Sequence, residues 1–170
     1  MPDGSYNYRL DAAKFTHKVF AITDAATMMP EEARMIWLDG DTFTKEEVTH
    51  EFLEEVLWDG EHSVAWLDRT AINYAETSLI GFKLDGATLS LLGDYKGTFL
   101  SGECFNYTEF HDGFVFTRLM KYHMAHGFKA KNLSEDCPDL RAFQYSPFGQ
   151  KMEHLKGALK DGAPKTSGPQ

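Results

Sequence analysis

Apolar and polar positions along the 170-residue chain fall into blocks whose period changes from block to block. From Leu10 to Met29 the apolar residues Leu10, Ala13, Val19, Phe20, Ile22 and Ala26 recur near helical spacing and Pro30 closes the block, which predicts a helix. Arg34 to Leu38 reads as a buried strand. Thr49 to Trp58 reads as a helix with Thr49 as its N-cap, Asp59-Gly60 as a turn, and Ser63 to Leu67 as a second strand. Ser78 to Leu84 predicts a third strand stopped by Asp85-Gly86. A weaker helix over Ala87 to Leu100, interrupted at Gly93 and Gly97, follows. Glu109 to His126 carries Phe110, Phe114, Val115, Leu119 and Tyr122 on a helical period until Gly127 ends it. Strands alternating with helices predict an α/β domain over residues 1–160, followed by a polar, Gly/Pro-rich tail at 161–170 expected to be disordered.

Composition narrows the class. With 42% hydrophobic and 14% aromatic residues the chain can bury a substantial core, and a net charge of −9 argues against nucleic acid as a partner. Cys104 and Cys137 are far apart and outside any C-x-x-C spacing, so free thiols are expected rather than a disulfide framework or a thiolate metal site. No window has the length and apolarity of a membrane span, and the first residues lack the pattern of a secretory signal. A cytoplasmic location is therefore expected.

The chemistry concentrates at Met35-Ile36-Trp37-Leu38-Asp39-Gly40-Asp41-Thr42, where an apolar strand runs into two carboxylates one residue apart. A bend at Gly40 lets Asp39 and Asp41 reach one ion, and hard oxygen ligands suit Mg²⁺ or Mn²⁺. Far downstream, His154-Leu155-Lys156-Gly157-Ala158-Leu159-Lys160 has the form His-x-x-Gly-x-x-Lys. There an imidazole can ligate the ion, a glycine admits backbone to a diphosphate, and a lysine neutralises it.

In this pair of motifs the chain resembles nucleotide-sugar glycosyltransferases of the GT-A fold, and in particular a bacterial and phage group. That group's pattern runs Trp-Leu-Asp-x-Asp-Thr, Glu-x-Gly-Phe-x-Gly-Phe, Glu-Trp-His-Asp and His-Leu-Lys-Gly. The blocks stand here in order at Trp37 to Thr42, Glu76 to Phe82, Glu109-Phe110-His111-Asp112, and His154 to Lys160. The resemblance implies metal ligation by Asp39, Asp41 and His154, and diphosphate contact by Gly157 and Lys160. Glu76 and Asp112 would flank sugar and acceptor, with His111 nearby. Ser78-Leu79 stand where the pattern has Gly-Phe, and only Met1 to Arg34 precede the acidic strand. The implied fold is a GT-A-like mixed sheet flanked by helices that lacks much of the usual N-terminal nucleotide-binding half. Its base site would be absent, rebuilt by a second copy in a homodimer, or supplied by a complementing chain. The acidic strand would be an uncovered sheet edge.

Other readings stand beside this one. A haloacid-dehalogenase-type phosphatase also opens with a strand and Asp-x-Asp, but Phe43 stands where that motif has Thr or Val. A non-catalytic binding or assembly module of the same fold is the second rival. His123 and His126 read as helix-end residues rather than a metal pair, and Glu46, Glu47, Glu51, Glu54 and Glu55 as a solvated face. Trp37, Trp58 and Trp66 read as core or core margin. His111-Asp112 reads equally well as an acidic helix start.

Overall fold

A computed structural model of the chain describes residues 6–69, 71–135, 137 and 140–155. After a 3-10 turn at Tyr8–Leu10, helix α1 spans Ala12–Thr27, with the Asp11 carboxylate capping the Lys14 amide. Strand β1 (Arg34–Leu38) and strand β2 (Thr42–Thr44) precede helix α2 (His50–Leu57), where Thr49 accepts from the Phe52 amide as its sequence position predicts. Strands β3 (Val64–Leu67) and β4 (Glu76–Lys83) lead to helix α3 (Gly86–Leu100), capped by Asp85. Helix α4 (Asp112–Ala125), strand β5 (Ala130–Asn132), helices α5 (Ala142–Tyr145) and α6 (Phe148–Lys151), and strand β6 (Met152–His154) complete the described fold.

The architecture is mixed α/β. Four strands form a sheet in the order β1-β4-β3-β5, antiparallel except for the parallel β3–β5 pair, while β2 and β6 make a separate antiparallel ribbon. β4 lies inside the sheet with helices over both faces, so residues 76–82 are all buried and the strand lacks an in/out alternation. One face packs Met35, Ile80, Phe82, Val64 and Trp66 against Val19 and Ile22 of α1, Leu91 and Tyr95 of α3, and Phe116 of α4. The other packs Ala65, Leu67 and Leu79 against Leu57 of α2 and Phe143 and Phe148 of α5 and α6. Gly81 is what lets α2 settle there: a Cβ at this position would meet Leu57 Cδ2 at 3.0 Å.

The strand expected to be buried at Arg34–Leu38 is instead the edge of its sheet, with Met35 alone buried and Ile36 and Leu38 each 37% exposed, because one flank and part of one face lack a covering element among the described residues. Three further sequence expectations need correction. Gly93 and Gly97 do not interrupt α3, which runs unbroken because burial of Leu91, Leu92, Tyr95 and Phe99 outweighs the ~1 kcal/mol cost of each glycine. α4 begins at Asp112 rather than Glu109, since the His111 ring caps it by accepting from the Phe114 amide at 3.4 Å. β4 begins at Glu76, two residues ahead of the expected strand. None of the described helices is long and apolar enough to cross a membrane. Both cysteines are buried, and no disulfide joins them. The expected tail at 161–170 lies outside the described residues.

Candidate functional site

β1 ends at Leu38 and the chain turns at once, with the Thr42 amide donating to the Asp39 carbonyl at 3.1 Å. This turn carries both carboxylates of the Asp-x-Asp. Beyond it β2 pairs with β6 in a register that sets Thr42 opposite His154, and the Leu155 amide donates to the Asp41 carbonyl at 3.0 Å. The ribbon thus brings the imidazole from 113 positions downstream to within 3.1 Å of Asp41, Nε2 to Oδ1. One ligand atom each from Asp39, Asp41 and His154 lie within 4.8 Å of one another. Two carboxylates and an imidazole suit Mn²⁺ or Mg²⁺, and three protein ligands leave positions for water or substrate oxygens.

No family model, curated protein or solved structure matches this chain. What the site can do therefore rests on its own geometry.

Asp39 is held from two sides. Trp37 Nε1 donates to Oδ1 at 2.8 Å, and the Lys18 ammonium of α1 stands 2.8 Å from the same oxygen. That leaves Oδ2 as the oxygen with capacity for an ion. Lys18 also reaches Asp112 Oδ2 at 3.0 Å and Thr77 Oγ1 at 3.1 Å, and Thr77 donates to Asp112 at 2.6 Å. Burial by itself raises the Asp112 carboxyl, but His111, Lys18 and Thr77 outweigh it and hold the group well below the usual carboxylate range. Of the three, Lys18 and Thr77 sit at bonding distance. His111 Nδ1 is 3.8 Å away and accepts from the Phe114 amide instead. Asp112 is therefore a fixed negative charge at neutral pH. It sits close to β4 because Gly113 allows it: a Cβ there would come within 2.8 Å of the Ala75 carbonyl oxygen.

Glu76 and His111 occupy different surroundings. Glu76, 3% exposed, accepts from His154 Nδ1 at 2.9 Å, from Ser78 Oγ at 3.3 Å and from the Phe143 amide at 3.3 Å. His111 is likewise buried. Its Nε2 pairs with Glu109 at 3.1 Å, and Tyr74 stands edge-on to its ring at 4.6 Å. A cleft of about 510 Å³ joins these groups: Asp39, Glu76, Asp112, His111 and His154 line it together with Tyr8, Phe15 and Tyr74. Gly157 and Lys160 lie outside the described residues.

Sequence reasoning missed Lys18, Thr77 and the aromatic wall. Lys18 had a readable signal, since it lies four residues before Ile22 and three after Phe15, on the inward stripe of α1 where a lysine needs a buried partner. The tyrosines had none. His123 pairs with Asp94 at 2.8 Å and His126 with the Tyr122 carbonyl at 2.8 Å, at the C-terminal end of α4. Trp66 is core, with Trp37 and Trp58 at the core margins.

Proposed function

We propose that this protein is a metal-dependent glycosyltransferase, moving a sugar from a nucleotide-diphosphate donor to an acceptor hydroxyl on a GT-A-like scaffold. The observation that carries this reading is the convergence of Asp39, Asp41 and His154, two of which, Asp39 and His154, line an aromatic-walled cleft. A Mn²⁺ or Mg²⁺ ion held there supplies a Lewis acid for the negative charge that grows on the departing diphosphate. The protein's own groups do the rest. Asp112, kept ionised, stabilises positive charge developing at the anomeric carbon. Lys18 holds Asp39 and Asp112 in fixed relation. Tyr8, Phe15 and Tyr74 offer ring faces and edges to a sugar and exclude water. Gly157 and Lys160 would meet the diphosphate, Lys160 as a point charge. The edge position of β1 supports association there with a second copy or a complementing chain. A monomer in size-exclusion chromatography at micromolar concentration removes the second-copy form.

A second reading is a non-catalytic binding module of the same fold. It is favoured by the Lys18 ammonium, which already sets a cation 2.8 Å from Asp39 without any ion. Calorimetry with Mn²⁺ and UDP, GDP, CDP and their sugars separates the two. Sugar transfer requires nucleotide binding that depends on Mn²⁺ and nucleotide release abolished by Asp39→Asn. Metal binding with no nucleotide binding establishes the module instead, and phosphate release from an aryl phosphate would establish a phosphatase.

A further inference from the structure

The resemblance assigns Glu76 to the sugar, but its surroundings describe another task. Glu76 opens β4 beneath α5, with Oε1 taken by His154 Nδ1 and Ser78 and Oε2 by the Phe143 amide. Glu76 lines the cleft, yet at 3% exposure with both oxygens engaged its carboxylate is committed to partners within the fold. We propose that Glu76 is a positioning residue, holding the His154 ring by Nδ1–H so that Nε2 faces the shared point between Asp39 and Asp41. This rests on the metal reading above.

A neutral imidazole carries one N–H, and whichever nitrogen is hydrogen-bonded to a carboxylate keeps the proton while the other offers its lone pair. Both nitrogens of His154 face carboxylates, and a cation seated between Asp39 and Asp41 would take the Nε2 lone pair and leave the proton on Nδ1, against Glu76. The ring's Nδ1 lies 2.9 Å from Glu76 Oε1, and its Nε2 points the opposite way, 3.1 Å from Asp41 Oδ1. Phe143 stands 5.7 Å from the ring, centroid to centroid, and the β2–β6 pairing holds the backbone beneath it. Strand pairing sets where the ring is, and Glu76 sets which nitrogen looks outward. Ser78 and the Phe143 amide in turn orient the carboxylate, tying the ligand to the sheet and to α5.

The test uses the full chain, with Mn²⁺ affinity read by electron paramagnetic resonance and the ring nitrogens read by ¹⁵N NMR with Zn²⁺ as a diamagnetic probe. In the wild type Nδ1 should be protonated and Nε2 metal-bound. Glu76→Ala should weaken Mn²⁺ about 10–100-fold, the range for removal of an outer partner of a ligating histidine. Glu76→Gln keeps an acceptor oxygen and should restore most of that loss. Metal on Nδ1 in the wild type overturns the inference without any variant, which keeps it open to refutation even if Glu76→Ala does not fold. A folded Glu76→Ala with undiminished Mn²⁺ affinity overturns it too. A wild type that takes up no Mn²⁺ removes the metal reading itself, and the inference with it.

Discussion

The two ends of the charge cluster that runs from Asp112 through Lys18 and Asp39 to Asp41 and His154 solve the same electrostatic problem in opposite ways. At one end Asp112 is nine-tenths buried and answered from within the fold, by the Lys18 ammonium and the Thr77 hydroxyl. At the other, Asp41, its side chain 28% exposed, pairs with His154, and one ligand atom each from Asp39, Asp41 and His154 lie within 4.8 Å of one another. A buried charge must be matched permanently, because leaving it alone in low dielectric costs several kcal/mol. A more open carboxylate can take an ion as an exchangeable partner. Asp39 belongs to both ends, since it bonds Lys18 with one oxygen and is part of the group that could hold an ion.

This contrast can be broken from either side. The largest effect is expected at the buried end: Lys18→Met removes the cation facing Asp112 and should lower unfolding stability by about 3 kcal/mol in urea titration. The same pairing dictates a pH dependence. Because the folded Asp112 carboxyl lies below its unfolded value, its contribution is complete above about pH 4 and is lost as pH falls toward the folded value. Wild-type stability should therefore drop on acidification below about pH 4, and more steeply than that of Asp112→Asn. At the open end Asp41→Asn should cost about 10–100-fold or more in Mn²⁺ affinity while changing stability by less than about 0.5 kcal/mol. A stability loss there as large as that of Lys18→Met would erase the distinction between the ends. The smallest change is Thr77→Val, which removes one hydroxyl from the Lys18–Asp112 pair and should cost about 1 kcal/mol of stability with metal affinity unchanged.

Long periodic elements were readable in advance, and so were the three residues Asp39, Asp41 and His154 that the fold brings together as a group able to hold an ion. The helix around Val19 and Ile22, the α2 cap at Thr49, the strand at Arg34–Leu38 and the strand stop at Asp85-Gly86 each announce themselves through local chemistry. β2, β5 and β6 are three residues each, and α5 and α6 are four, too short for any period to stand out. Their existence is a tertiary matter. Gly93 and Gly97 mislead for the related reason that intrinsic propensity is weaker than burial.

The amino-acid order by itself determined the apolar stripes, the caps and the presence of two carboxylates at a strand end with an imidazole far downstream, because each is a property of residues close together in the chain. Which groups face one another was decided only on folding. The β2–β6 ribbon carried His154 to Asp41, and the packing of α1 drove Lys18 between Asp39 and Asp112. Glu76 came to rest behind the imidazole. Charges separated by dozens of residues interact only once the apolar core has fixed the distances between them, and no local pattern encodes those distances.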